Sequence, residues 1–247
     1  MSSQNNQEGV IVEIRAGTGG AESALFASNL FRMYSRYAAS KGWSQKILES
    51  KPTEIGGFKE IIFELSGPNA FSEIKNEGGV HRVQRIPKTE KKGRVHTSTA
   101  TVAILAKPKK ATIQIKHEDL RVDFYRASGP GGQYVNKRET AVRITHLPTG
   151  LMAASQTQRS QAQNKENALA ILEAKISQEK EKKDLESLGK TRKAQIKWAK
   201  RSEKIRTYNF PQNRITDHRI KKSWHNLEEI MDGNLKYIIK AFRKLEN

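Results

Sequence analysis

The sequence predicts an α+β protein built from two folded parts. Short segments of alternating apolar and polar residues, typical of strands, occur in both halves of the chain, and two longer segments place apolar residues at helical spacing. The length of 247 residues corresponds to about two domains. We therefore expect a mixed domain packed with a C-terminal helical segment, plus a small α+β domain that carries a long helix.

The predicted first domain, residues 10–111, alternates strands with glycine-containing loops. Residues 1–9 are polar and are expected to be a disordered start. The first strand is Val10–Arg15, and a glycine-rich turn then leads into a helix over Ala21–Lys41, whose apolar face is expected to lie in the core. Further strands are predicted at Glu60–Leu65, Val80–Ile86 and Thr99–Ala106.

The predicted second domain, residues 112–207, follows the basic connector Lys107–Ala111. It contains a long polar helix over residues 160–188. Between Ser187 and Arg206 the chain has eight basic residues and one acidic residue, so this segment is expected to face solvent or a polyanion. Its strands are predicted at Thr112–Lys116, Leu120–Tyr125, Thr140–His146 and Leu151–Ser155.

The C-terminal segment, residues 208–247, is predicted to pack on the first domain. It begins within the extended stretch Arg206–Gln212, which contains Pro211, and it ends in one helix over Trp224–Leu245. Leucine, isoleucine and methionine recur along that helix at the spacing of a single apolar face, which gives the segment a surface to bury.

Composition restricts the function. Lys and Arg number 45 against 26 Asp and Glu, a net charge of +19, which favours a polyanionic partner, either nucleic acid or an anionic membrane surface. A basic but otherwise ordinary enzyme is the alternative. The absence of cysteine excludes disulfides, thiolate metal sites and a thiol nucleophile. With no signal peptide and no spanning apolar run, we expect a cytoplasmic or organellar protein without a membrane partner, metal or cofactor.

The loop RASGPGGQYVN at residues 126–136 is the most unusual segment. Gly131 and Gly132 leave the backbone bare, so that it can approach a ligand closely, and Gln133 then offers one neutral amide. Read from composition alone, it is a glycine-rich hairpin with an incidental glutamine. The basic residues that flank it favour RNA contact; they are Arg126, Lys137 and Arg138.

In this setting, the loop and the following AVRITHLPTG resemble the catalytic loop of bacterial-type class I peptide chain release factors. Other blocks resemble that family in the same order, and the resemblance extends from Val10 to nearly the end of the chain. The blocks are VIVEIRAGTGG at 10–20, LFRMYSRY at 30–37, GGVHRVQRIPKTEKKGRVHTS at 78–98 and IRTYNFPQNRITDHRI at 205–220.

The resemblance implies a codon-binding site. Pro87, Lys88 and Thr89 stand where the family carries its Pro-x-Thr tripeptide, which is typical of factors that read UAA and UAG. Thr89 is thereby expected to hydrogen-bond the second base and His96 to stack between bases. The other implied contacts are Gly19 and Glu22 with the first base, and Gln84 and Thr97 with the third.

The resemblance also implies hydrolysis of the ester that joins the finished peptide to transfer RNA. Gly131 and Gly132 let the loop enter the peptidyl-transferase centre, and Gln133 stabilises the tetrahedral intermediate and orients water. In the family this glutamine is modified by an N5-methyltransferase. Further RNA contacts are implied for a stretch that resembles the family's Arg-Ser-Gln segment, namely Arg159, Gln161, Asn164 and Lys165.

The implied partners are ribosomal RNA, the stop codon and peptidyl-tRNA, and we expect a monomer. Nine polar residues stand where the family has a helical domain, so a partnership with the recycling GTPase is not predicted. Two other functions remain open from the sequence. One is codon-independent peptide release on stalled ribosomes, suggested by the short start and by the basic segment before Arg206, and the other is non-catalytic ribosome binding.

Overall fold

The chain divides into two compact units. The computed structural model describes residues 8–87, 90, 93–108, 115–127, 138–196, 198 and 200–246. The first unit combines Met1–Lys107 with Leu188–Asn247, and the second is Pro108–Ser187. The chain thus leaves the first unit, forms the second and returns to the first.

The first unit contains an eight-stranded sheet. Its strands are β1 Glu8–Ala16, β2 Ser44–Pro52, β3 Phe58–Gly67, β4 Gly79–Arg85, β5 His96–Ala106, β9 Lys204–Asn209, β10 Arg214–Asp217 and β11 Lys222–His225. They lie in the order β11-β10-β9-β4-β5-β1-β3-β2. All strand pairs are antiparallel except β4 with β9, which is parallel. The helices of this unit are α1 Ala21–Ser40, α2 Ala70–Ile74, α4 Leu227–Met231 and α5 Lys236–Glu246.

The N-terminal and C-terminal parts of the chain contribute to one hydrophobic core. Alternate residues of the strands, such as Val12 and Phe63, are fully buried together with Leu30 and Tyr34 of α1. Leu235 and other apolar residues of the C-terminal helical segment join the same cluster. The predicted α+β fold, with the C-terminal segment packed on the first domain, is therefore confirmed.

The single helix predicted over Trp224–Leu245 is wrong. Trp224 lies in β11, which forms a hairpin with β10, and two short helices follow, separated near Gly233. Gly233 has a φ of +103°, and a Cβ there would lie 2.8 Å from the Cβ of Arg36 and 2.9 Å from the backbone nitrogen of Tyr37. The close approach of α1 therefore requires a glycine and a break where apolar spacing indicates a continuous helix.

Four elements were not predicted from the sequence, namely β2, α2, β10 and β11. Every residue of β2 is exposed, so this edge strand has no apolar alternation to mark it. Glu8 and Gly9, predicted within the disordered start, pair with Gly67 and Ser66 of β3. Of the predicted strand Thr112–Lys116, residues 112–114 lie outside the described residues.

The second unit is a three-stranded antiparallel sheet with a long helix packed on one face. Its elements are β6 Leu120–Tyr125, β7 Ala141–His146, β8 Met152–Ser155 and α3 Gln161–Ile196, and the strands lie in the order β6-β7-β8. The helix buries every fourth residue, at Asn164, Ala168, Leu172 and Ile176, against Val142 and Ile144. Such a narrow apolar stripe explains why the helix is polar in sequence.

The last residues of α3 belong to the first unit. Arg192 forms a two-pronged ion pair with Glu13 of β1, with Nε–Oε2 and Nη2–Oε1 distances of 2.8 and 2.6 Å. The Gln195 amide bonds both the backbone nitrogen and the carbonyl of Ile104 at the open side of β5. The second unit therefore ends near Ser187, whereas the sequence analysis placed the boundary at residue 207.

A buried ionic network ties β9 into the sheet. Arg206 is fully buried, and its guanidinium donates to Glu77 at 2.5 and 2.8 Å and to Asp217 at 3.1 Å. Burial works to raise the pKa of Glu77, but the Arg206 charge outweighs it and holds that pKa below its usual range. Tyr34 of α1 also donates to Glu77, at 3.1 Å.

His81 of β4 lies beside this network in its neutral form. Burial and the neighbouring Arg206 charge lower the pKa of His81 to about 4. Its Nε2 is 2.9 Å from the carbonyl oxygen of Glu77, and its Nδ1 is 3.1 Å from the hydroxyl of Tyr208. Since a carbonyl can only accept, Nε2 carries the proton and Nδ1 accepts from Tyr208.

We predict that acid weakens the fold through His81. An unfolded histidine with a pKa near 6.5 takes up its proton before the buried one does. The stability contributed by the neutral ring is therefore complete above pH 6.5 and is lost as the pH falls toward 4, by about 3 kcal/mol. The free energy of unfolding, measured with urea at several pH values across this range, should fall less with decreasing pH for His81→Gln than for the wild-type chain. The exposed His225→Gln is the control. A pH dependence of stability that is unchanged in His81→Gln contradicts the assignment.

Candidate functional site

The glycine-rich turn before α1 is fastened to the start of β5. Gly17 donates its N–H to the carbonyl of Thr99 at 2.8 Å, and Thr99 donates in return to the carbonyl of Thr18 at 2.8 Å. Gly19 has a φ of +138°, and a Cβ there would overlap the side chain of Ser98. Only glycine therefore allows the turn to lie this close to β5.

A partly buried ion pair connects the first turn of α1 to the end of β4. The Glu22 carboxylate accepts a hydrogen bond from Arg85 Nε, and Arg85 Nη1 donates to Asn29 Oδ1 at 3.0 Å. The Arg85 guanidinium also lies over the Phe210 ring, 5.2 Å from its centroid. Arg85 thus fixes Glu22 in position and connects α1, β4 and the residue that follows β9.

Strand register brings the other predicted codon contacts beside this pair. Gln84 of β4 lies opposite Thr97 of β5, and Arg85 lies opposite His96. Gln84 and Thr97 are half-buried and His96 is exposed. Because β4 and β5 pair antiparallel and follow each other in the chain, residues about twelve positions apart in sequence become direct neighbours.

The connection between β4 and β5 holds the predicted tripeptide. Pro87 is buried, and its carbonyl accepts the N–H of Glu90 at 3.0 Å. The Glu90 carboxylate lies 2.7 Å from Nε2 of His96 and pairs with its imidazole. Lys88 and Thr89 lie outside the described residues.

Six of the predicted codon-binding residues therefore meet at one end of the first unit; they are Gly19, Glu22, Gln84, Pro87, His96 and Thr97. The sequence analysis missed Arg85, Asn29, Glu90 and Phe210, which hold them in position. Glu22 and Arg85 are 63 residues apart, and no local pattern marks such a pair.

The structure describes only the residues on either side of the predicted catalytic loop. Gly131, Gly132, Gln133 and the predicted RNA contact Lys137 lie outside the described residues. On one side Arg126 is exposed. On the other side a polar pocket is lined by Arg138, Glu139, Thr140, Arg159, Ser160 and Gln161.

This pocket groups three of the predicted RNA contacts directly after the loop. Gln161 at the start of α3 donates from Nε2 to the carbonyl of Glu139 at 2.8 Å, which joins the helix to the segment that leaves the loop. Arg138 and Arg159 are both exposed, as is Lys165. Guanidinium groups in such a position suit phosphate contacts.

The side chain of Asn164, one of the predicted RNA contacts, is fully buried. Its Oδ1 accepts from the Ser155 hydroxyl at 3.1 Å and the Gln158 N–H at 3.0 Å. Its Nδ2 donates to the carbonyls of Thr140 and Gln158 at 2.8 and 2.9 Å. Asn164 therefore holds the segment before α3 in place, and its neighbours Gln161 and Lys165 remain exposed.

The described residues hold neither a candidate metal-ion group nor a membrane-spanning helix. No group of three or more His, Asp and Glu side chains there is placed to hold a metal ion. None of the helices in the same part of the chain combines the length and apolar character needed to cross a membrane.

Comparison with known families places two domain families along the chain. The PCRF domain family matches residues 1–102, and the RF-1 domain family matches residues 109–219. The two matches cover the candidate codon-binding residues and the glycine-rich loop. The chain belongs to the class I peptide chain release factors, a family of translation termination proteins.

The individual relatives show which type of release factor the chain is most similar to among those compared. The chain is 55% identical over 242 residues, 98% of its length and 67% of the relative, to "Peptide chain release factor 1" of Aquifex aeolicus. It is 57% identical over 230 residues to the protein of the same name from Thermotoga maritima, covering 93% of this chain and 67% of that one. The chain thus spans about two thirds of the length of these relatives.

A solved structure gives the same result. RF2 of Thermus thermophilus matches with a TM-score of 0.58 and 36% identity, over 97% of this chain and 68% of that one. Both the fold and the sequence therefore place the chain in this family.

We predict that Gly19→Ala disturbs the candidate codon-binding site. The new Cβ would overlap Ser98 and strain a positive φ, whereas Gly42 has a φ of +69° and open space, with nothing within 4 Å, where a Cβ would lie. Gly42→Ala therefore carries the backbone cost alone, about 1 kcal/mol. Thermal unfolding should show a larger loss for Gly19→Ala, and equal losses in the two variants would contradict the close approach.

We predict a second contrast at Asn164 and Lys165. Asn164→Ala leaves buried groups of Thr140, Ser155 and Gln158 without their partner, which should cost about 1–3 kcal/mol. The exposed neighbour Lys165→Ala should change stability by less than about 0.5 kcal/mol. Denaturant unfolding measures both values. A stable Asn164→Ala protein would mean that the residue is free to act elsewhere.

Proposed function

We propose that this chain reads the stop codons UAA and UAG in the ribosome and triggers hydrolysis of the peptidyl-tRNA ester. The grouping of Gly19, Glu22, Gln84, His96 and Thr97 at one end of the first unit is the observation that carries the proposal. It joins two strand positions, a helix N-terminus and an exposed imidazole, which suit hydrogen bonding and stacking with an unpaired trinucleotide.

The Arg85 contacts support a rigid site. A codon reader discriminates by the cost of leaving a polar group unpaired, so its own groups must not rearrange to follow a wrong base. Glu22 is held by Arg85, and His96 is held by Glu90. These contacts orient the two side chains before the codon arrives.

Peptide release is assigned to the glycine-rich loop. Gly131 and Gly132 suit passage into a narrow RNA-lined centre, and the Gln133 amide suits stabilisation of an oxyanion and placement of water. Such a loop acts only inside the ribosome, where transfer RNA and ribosomal RNA surround the ester. The exposed Arg126, Arg138 and Arg159 next to the loop suit contacts with those RNAs.

The partners follow from this function. We expect ribosomal RNA, the stop codon and peptidyl-tRNA to be bound by a monomer, with Gln133 as the substrate of a glutamine N5-methyltransferase. We expect the chain to act where ribosomes are found, in the cytoplasm or in an organelle. Pro87, Lys88 and Thr89 assign the chain to the UAA and UAG type.

We predict codon-dependent release that requires Gln133. Purified chain should release peptide from ribosomes halted at UAA and UAG and not from those halted at UGA. Gln133→Ala should lower the release rate by about a hundredfold or more, on the scale of losing one oxyanion contact, while ribosome binding persists. Gln178→Ala, an exposed glutamine on α3, is the matched control.

Release from ribosomes with no stop codon would contradict codon reading and favour a rescue function. Unchanged release by Gln133→Ala would contradict the assignment of catalysis to the loop. Quenched-flow release of a labelled peptide, measured together with filter binding to the same ribosomes, separates the two results.

A further inference from the structure

A carboxylate-free surface continues from the candidate codon-binding site across the C-terminal strands. Gln84 of β4 lies opposite Thr97 on one side and opposite Asn209 of β9 on the other. Asn209 in turn lies opposite Arg214 of β10, and Arg214 lies opposite His225 of β11. These five residues form one row that crosses five adjacent strands.

A second row runs parallel to the first. It contains Thr99, Arg82, Thr207, Thr216 and Ser223, one from each of the same five strands. Since side chains two residues apart on a strand share a face, both rows lie on the same side of the sheet. We call this surface the polar face, defined by these ten residues.

Eight of the ten residues of the polar face are at least partly exposed, whereas Thr99 and Thr207 are buried. The residues between the rows, among them Val83, Tyr208 and Ile215, are fully buried in the core. By contrast Arg214, Ser223 and His225 are exposed, and Gln84, Thr97, Asn209 and Thr216 are partly exposed. The strands β9 to β11 therefore turn an apolar side inward and a hydrogen-bonding side outward.

None of the ten residues is acidic, and two are arginines. The other half of the same sheet differs, since it carries Glu13, Glu60 and Glu64 on β1 and β3. On that half the cations are already paired with these carboxylates, whereas the polar face has arginines without carboxylates, so charge favours RNA on the polar face.

The end of the first row is arranged for recognition. Gln212, in the turn between β9 and β10, accepts from Asn209 Nδ2 at 3.1 Å and from Arg214 Nη2 at 2.6 Å. The Asn209 oxygen accepts the Gln212 N–H at 3.1 Å. One side of Arg214 is thereby held in place, and its guanidinium carries five donors in total.

We propose that Asn209, Arg214 and His225 bind the messenger RNA nucleotide that follows the stop codon. The proposal rests on the proposed function, in which Gln84 and Thr97 contact the third base. Neighbouring strands are about 4.8 Å apart, so Asn209 is the next group along the row beyond Gln84. A message that continues past the third base in this direction meets the amide of Asn209, then Arg214.

Each group suits a single-stranded nucleotide. The guanidinium of Arg214 can bind a phosphate through two N–H groups, and the exposed imidazole of His225 can stack on an unpaired base or donate to phosphate. The hydroxyls of Thr216 and Ser223 in the second row suit sugar and phosphate contacts.

The test measures the half-saturating concentration for peptide release on two messages. One ends directly after UAA, and the other continues for several nucleotides. The wild-type chain should bind the longer message more tightly. Arg214→Gln should remove that preference by raising the half-saturating concentration about tenfold on the longer message alone. Arg32→Gln, an exposed arginine of α1 on the other side of the sheet, should retain the wild-type preference.

Arg214→Lys and a thermal unfolding measurement on each variant exclude a folding defect. The charge-retaining variant should keep part of the preference for the longer message. A wild-type chain that binds both messages equally would overturn the proposal. So would an Arg214→Gln chain weakened by the same factor on both messages, a result that assigns Arg214 to ribosomal RNA.

The two proposals fail in different ways. If the wild-type chain releases peptide from neither message, the proposed function itself is wrong. If it releases peptide at UAA from both messages with equal half-saturation, codon reading stands and only the extended contact is refuted.

Discussion

The position of β9 beside β4 depends on the buried charge of Arg206. A guanidinium without water is costly, and it is stabilised here only because Glu77 precedes β4 and Asp217 ends β10. Burial works to raise the pKa of Asp217, but the hydrogen bond from Arg219 and the charge of Arg206 lower it. Both carboxylates therefore remain charged. Their contacts with Arg206 hold β9 in register with β10 and with β4, which Glu77 precedes.

This constraint matters because β4 and β9 are parallel and far apart in sequence. Parallel neighbours need a crossover connection, and in this chain the crossover contains the whole second unit. A slip of one residue in this pairing would move Asn209 away from Gln84 and turn Tyr208 out of the core. The same ionic contacts that bury Arg206 therefore also set the edge of the candidate codon-binding site.

The sequence was sufficient where a pattern is local. Alternation identified β1, β4 and β5, and helical spacing identified α1, because each buries one side against a common core. It failed where distant contacts decide the structure. Gly233 interrupts the C-terminal helix because α1 approaches it, and β2 is an exposed edge without alternation. Asn164 was predicted to contact RNA because it belongs to a motif. Its side chain forms four internal hydrogen bonds, which no local pattern indicates.

The positive charge of the chain also has a spatial explanation. On β1 and β3 the carboxylates are matched by the protein's own cations, since Glu13 pairs with Arg192 and Glu64 with Lys107. On the polar face of β9 to β11 the outer residues have no carboxylates to match, so Arg214 is available to an external anion. Surface charge of this kind speeds association and is weakened by salt, whereas discrimination between bases needs groups with fixed geometry. Neutral residues such as Gln84 and Thr97, held by the strand register, provide that geometry, and the surrounding arginines provide attraction.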